Sequence, residues 1–170
     1  MLRNGLAALA GMVAAVIVTT LLQFVAHRVN PSSPELTEAV RNIYGEDPVK
    51  IEEARQVFAR ELPKHPLQLV LVIVSHALGT LFGALIAVRV SLDAHIVPAS
   101  IVGGLMLMGG IANVMLIPHP TWFNAVDLLV YIPAALLAYR LVAPRATDSS
   151  EPTQEQDDGG STTNITPVAS

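Results

Sequence analysis

The chain has 170 residues, 52% of them hydrophobic and only 14% charged, with a net charge of −4 and no cysteine. That composition excludes an ordinary soluble domain, and the missing cysteine excludes disulfides, thiolate metal sites and thiol nucleophiles. The negative balance owes much to the C-terminal tail, so nothing here argues for a nucleic-acid partner.

Charges crowd into residues 28–64 and the tail, leaving long apolar stretches between them. A hydrocarbon core of about 30 Å takes roughly 20 apolar residues in helix. The pattern therefore predicts an all-α, four-helix transmembrane bundle with spans at about 6–26, 67–88, 96–117 and 122–142. A short helical loop at 28–66 lies outside the membrane. Residues 1–145 form the membrane domain and 146–170 a disordered acidic tail.

The first span, Leu6 to Ala26, follows Arg3 and is too long for a signal peptide, so it reads as an uncleaved anchor. Ala7, Gly11 and Ala15 recur at every fourth residue, a stripe that admits a close helix neighbour. In the loop, Ser33-Pro34 and Asp47-Pro48 are helix-start signals. Leu36, Val40, Ile43 and Tyr44 are expected to share one apolar face, with Gly45 as the stop. Ile51, Ala54, Phe58 and Leu62 make the second stripe, ended by Pro63 and Pro66. Six basic and seven acidic residues give this loop no basic excess for an anionic surface. Two amphipathic helices over the bundle mouth or at the interface fit it best.

The second span, Leu67 to Val88, carries Ser75-His76 and then Gly79 and Gly83, the strongest packing signal in the chain. Arg89 and Asp93 mark a polar turn. The third span holds Gly103, Gly104, Gly109, Gly110 and Asn113, with Pro98 in its first turn, where a missing N–H costs little. The glycines at 79, 83, 103, 104 and 110 are expected to pack against other helices, within the chain, in a homo-oligomer or against a membrane-protein partner. The fourth span carries Asn124, Asp127 and Tyr131 near its start, Pro133 as an expected kink, and Arg140 and Arg145 at its end. The sequon at Asn164 reads as a chance match in a tail expected to be cytoplasmic.

Four spans place both termini on one side. Arg3 before the first span favours a cytoplasmic location for them, although the six basic residues of the loop count the other way.

The string from Gly109-Gly110-Ile111-Ala112-Asn113 to Pro118-His119-Pro120-Thr121-Trp122-Phe123 is similar to a motif of small, uncharacterised four-helix bacterial membrane proteins. Gly11, His27 and Pro31, and the segment Tyr131-Ile132-Pro133-Ala134-Ala135, resemble the same family. The resemblance implies a four-span bundle in a bacterial inner membrane, and it carries over no functional residues.

Ionisable groups inside a span are expensive, about 2.5–3.5 kcal/mol at the centre on insertion scales, so each is a functional candidate. His76, Asn113, His119, Asn124, Asp127 and Tyr131 form the candidate cluster, with Gln23 and His27 at the same end of the first span. Asp127 is expected within hydrogen-bonding reach of Asn113 or the His119 turn, across one short antiparallel connection. Such a cluster either opens on a pocket for a small solute, proton or metal, or pairs across helices and fixes their packing. The five histidines show no metal-ligand spacing, and Ser75 and His76 point about 100° apart on a helix, which disfavours a hydrolase. The expected role is therefore a non-enzymatic scaffold or accessory subunit, without cofactor, in contact with the lipid bilayer. The alternative is a small-solute or ion transporter built on the cluster around Asp127.

Overall fold

The computed structural model describes residues 2–91 and 96–142. Asp93, Arg145, the acidic tail and its sequon lie outside these described residues. The architecture is all-α: α1 (Leu2–Val29), α2 (Pro34–Ile43), α3 (Pro48–Glu61), a 3-10 turn (Leu62–Lys64), α4 (Pro66–Val90), α5 (Ile96–Leu116) and α6 (Thr121–Val142). Among the described residues, four helices are long and apolar enough to cross a membrane: Arg3–Val29, Pro66–Val90, Ile96–Leu116 and Thr121–Val142.

Helix ends follow the local chemistry. The first helix runs past Ala26 because nothing stops it before Asn30-Pro31; Asn30 N–H still donates to the Ala26 carbonyl at 2.8 Å. Ser33 Oγ accepts from Leu36 N–H at 3.2 Å and Asp47 Oδ1 accepts from Val49 N–H at 3.0 Å. These N-caps start α2 and α3 with Pro34 and Pro48 in their first turns. Each cap contributes about 1 kcal/mol. Pro133 lies inside the uninterrupted helix α6.

Helix α4 is central and packs against α1, α5 and α6, while α5 also contacts α1 and α6. The α1–α4 crossing depends on glycine at both sides. A Cβ at Gly83 would lie 2.5 Å from the Gly11 carbonyl oxygen and 2.5 Å from Ala15 Cβ; one at Gly11 would lie 2.5 Å from the Gly83 carbonyl. A Cβ at Gly79 would collide with Thr19 Oγ1 and stand 2.9 Å from the Ala15 carbonyl oxygen. Close backbone approach of this kind is how helices associate where lipid is as apolar as their side chains. Gly103 similarly leaves room for Ala135, whose Cβ would be 2.7 Å from an added methyl. Gly104 is the exception among the glycines expected to pack. It is one residue, about 100° of rotation, away from Gly103, and a Cβ there meets nothing within 4 Å.

The α2–α3 hairpin caps one end of the bundle. Leu36, Ala39, Ile43, Ala54, Phe58 and Leu62 bury against Leu69 of α4 and Phe123 of α6. Each large side chain so buried contributes about 1.5–3 kcal/mol. The apolar face of α2 is therefore rotated from the one expected. Ala39 takes the inner position, while Val40 and Tyr44 are 48% and 67% exposed. Around the bundle, Leu6, Leu9, Val13, Ile17, Leu129 and Leu141 are among the large apolar side chains that face outward, where lipid would cover them.

Candidate functional site

At the cap-side half of the bundle, four polar side chains from three helices form one hydrogen-bonded chain. His76 lies ten residues into α4 and Tyr131 ten residues into α6, roughly 15 Å from the cap-side ends of those helices. Because α4 sits between α1 and α6, the His76 imidazole reaches both neighbours. Its Nδ1 is 2.7 Å from Asp127 Oδ1 and its Nε2 is 3.2 Å from Gln23 Nε2. The Tyr131 hydroxyl donates to Asp127 Oδ2 at 3.2 Å and also lies 2.9 Å from His76 Nδ1. Asp127 and Tyr131 are spaced one turn apart on α6, so both address the same imidazole.

Gly110 of α5 makes room for this arrangement. A Cβ at that position would stand 2.7 Å from Tyr131 Cε2 and 2.9 Å from its hydroxyl oxygen. The Tyr131 side chain is held on its other side by the packing of α6 on α4, and it is 1% exposed. Glycine at 110 thus sets where the tyrosine hydroxyl points.

Both oxygens of Asp127 are satisfied and the residue is fully buried, while the His76 side chain keeps 13% of its surface exposed. With a proton on Nδ1, His76 donates to the carboxylate and its Nε2 accepts from the Gln23 amide. That pair, neutral imidazole and carboxylate, carries one negative charge. Adding one proton makes it neutral overall, as imidazolium with carboxylate or imidazole with carboxylic acid. The contact thus sets an imidazole against a carboxylate inside a span, where uncompensated charge is costly.

His76 and Tyr131 line a cavity of about 530 Å³, together with Gln23 and Thr19 of α1, Asn113 of α5 and His119 of the α5–α6 turn. Val40 and Tyr44 of the cap also line it. A smaller cavity of about 190 Å³ lies between the cap-side ends of α1 and α4, lined by Gln23, His27, Asn30 and Gln68. Gln23 thus borders both spaces.

The partner of Asp127 is His76, in place of the expected Asn113 or His119. Rotation of α6 turns Asp127 towards α4, away from the helix it follows in sequence. The Asn113 side chain makes no hydrogen bond among the described residues and opens on the cavity. His119 lines the same cavity. Its Nδ1 lies 2.8 Å from the Ile117 carbonyl, and its ring stacks on Phe123 with centroids 4.5 Å apart. Burial pushes its imidazole below the ordinary value, with the bond to Ile117 opposing that shift. Asn124 shares the α6 face but stays outside the chain of bonds, with a buried Oδ1 that has no partner. Thr80, one turn beyond His76, also has a buried hydroxyl without a partner. Ser75 turns away, donating to the Leu71 carbonyl at 2.7 Å. No group of three or more His, Cys, Asp or Glu side chains suited to a metal ion exists among the described residues.

Sequence reasoning left Gln23 at the margin and did not select Thr19 or Tyr44. The signal for Gln23 was its amide inside an apolar run, at a depth comparable to His76 on a neighbouring helix. Nothing local marks Tyr44, because its place depends on how the cap docks. Comparison of the chain with protein-family models, with curated proteins and with solved structures finds no match, so the site has to be read from its own geometry.

Proposed function

We propose that the protein is a small-solute or ion transporter in which the large cavity is the binding site and the His76–Asp127 pair carries a proton. The observation that supports this most directly is the position of His76. It faces the cavity on one side and contacts a fully buried carboxylate at 2.7 Å on the other. A proton gained or lost at the cavity wall therefore changes the net charge of the bundle interior. The small-residue faces that an external partner would use are largely engaged within the chain, at Gly79, Gly83, Gly103 and Gly110.

The second reading is the non-enzymatic scaffold or accessory subunit. It is favoured by the complete satisfaction of Asp127, which pairs α4 with α6 as a structural bridge would. Both readings share a setting in the bacterial inner membrane with the termini cytoplasmic. Arg3 at the start of α1 and Arg89 and Arg140 at span ends support that orientation. Single cysteines at Ser33 and Ser161, probed with an impermeant maleimide in intact cells, test it: label on Ser33 alone is expected, and label on Ser161 alone reverses the orientation.

The function is tested with the full-length protein in liposomes containing a trapped pH-sensitive dye, under an imposed potassium diffusion potential. Wild-type protein is expected to conduct protons, and Asp127→Asn to lose that flux by about tenfold or more. Equal fluxes from folded wild type and variant would remove the transporter reading and leave the scaffold.

A further inference from the structure

The walls of the large cavity say what kind of molecule fits it. Its inner part runs between α1 and α5, past Met12, Val16, Leu105, Met106 and Gly109. Val16 and Leu105 lie near the middle of their helices and keep 48% and 41% of their surface exposed. Thr20 and Gly109 beside them are also exposed. At mid-span an exposed face would meet hydrocarbon, so a cavity bordered by such residues is a cleft accessible sideways from a bilayer. Its other end is polar, with His76, Gln23 and Asn113 beneath the cap residue Tyr44.

Among the described residues, no Lys, Arg, Asp or Glu lines this space. An anionic head group would find no cation there, which disfavours phosphates and carboxylates. A cationic one would find the nearest carboxylate, Asp127, fully buried with both oxygens bonded to His76 and Tyr131. What the polar end offers is hydrogen bonding. The Asn113 amide is without a partner among the described residues, and the His76–Gln23 contact at 3.2 Å can open to a third group. The volume, about 530 Å³, falls within the roughly 300–1,000 Å³ of pockets that hold drug-sized molecules.

We propose that the ligand is an uncharged amphiphile taken from the bilayer, its hydrogen-bonding head at His76, Gln23 and Asn113 and its apolar chain in the cleft between α1 and α5. This rests on the cavity being the binding site and adds the chemical class and the route of entry.

The test uses the full-length protein in phosphatidylcholine nanodiscs with a long-chain alcohol carrying a diazirine at mid-chain. After photolysis, adducts are expected on Met12, Val16, Leu105 or Met106. They should be competed by the unlabelled alcohol but not by an alkyl phosphate or an alkyl trimethylammonium salt of equal length. Gly109→Leu fills the cleft and should cut labelling about tenfold. The fold should tolerate it, since a Cβ at Gly109 meets nothing within 4 Å. Gly104→Leu, equally open but outside the cavity, should leave labelling unchanged. Adducts spread evenly over Leu21, Leu129 and Leu141 and indifferent to Gly109→Leu would mean contact with bulk lipid only and overturn the proposal. Equal competition by either charged amphiphile would overturn its chemical class. The readout is independent of proton flux. Failure here with Asp127-dependent flux intact removes the amphiphile and leaves a transporter of a water-borne solute.

Discussion

The two halves of the bundle are built by opposite rules. Away from the cap, small side chains and buried valines pack closely: Ala84, Ala87, Val88, Ala99, Val102 and Ala138 are all at or below 1% exposure. On the cap side the same helices hold the Gln23–His76–Asp127–Tyr131 chain and leave a cavity of about 530 Å³ beside it. The closed half can therefore act as a rigid clamp that fixes the helix directions. The open half inherits those directions and cannot close without breaking them.

The largest effect should come from forcing the clamp apart. Gly83→Leu places a branched side chain where a single methyl already stands 2.5 Å from the Gly11 carbonyl. Backbone cannot yield as a flexible side chain does. Overpacking costs about 1–3 kcal/mol and sometimes more, and this site belongs at the upper end. Thermal unfolding in detergent should show a loss of several degrees or failure to fold. An unchanged midpoint would mean that the α1–α4 contact does not hold the bundle together.

In the open half, the chain of bonds should respond to what is removed. Asp127→Ala leaves His76 Nδ1 and the Tyr131 hydroxyl facing each other without their shared acceptor. The expected loss is about 1–3 kcal/mol. Asp127→Asn keeps an oxygen for His76 and offers an amide N–H₂ to the tyrosine oxygen, so it should unfold within about 1 kcal/mol of wild type. Comparing the two midpoints in one detergent separates geometry from charge. If Asn costs as much as Ala, charge is holding the bundle and the closed half contributes little to its stability.

This division also explains what could be read in advance. The four spans were legible because bilayer thickness sets the length of an apolar run, and the helix starts at Ser33-Pro34 and Asp47-Pro48 were legible because caps are local chemistry. Gly79 and Gly83 announced a close crossing through their spacing. The partner of Asp127 was not legible, because chain proximity favoured α5 whereas the rotation of α6 about its axis decided for α4. Gly104 failed for a related reason: two adjacent glycines cannot both face one neighbour, and spacing alone does not say which does. In α2 the buried face runs through Leu36, Ala39 and Ile43, which leaves Val40 and Tyr44 outside it, and which of two overlapping stripes turns inward depends on how the cap docks.

Glycines of the two kinds should behave oppositely under the same small change. Gly104→Ala meets no atom within 4 Å and sits inside a helix, where alanine is favoured over glycine by about 0.5–1 kcal/mol. Its midpoint should rise slightly. Gly110→Ala, with the Tyr131 ring 2.7 Å from the added methyl, should fall and should weaken proton flux by displacing the hydroxyl from Asp127. A rise for both would show that the Tyr131 ring adapts freely.

The smallest effect is expected at His119, where the cavity meets the cap. Its imidazole is held below the ordinary value of 6.5, chiefly by burial. A histidine whose folded pKa is depressed binds a proton more readily when the chain is unfolded. Stability from this group is therefore complete above about pH 6.5 and declines as pH falls towards the folded value. His119→Phe keeps a ring to stack on Phe123 and removes the titration, so its stability profile should be flatter between about pH 8 and pH 5. The carbonyl of Ile117 loses its 2.8 Å donor in that variant, which should lower stability equally at every pH. The diagnostic quantity is thus the slope and not the offset. Parallel profiles for wild type and variant would assign the acid sensitivity to other groups.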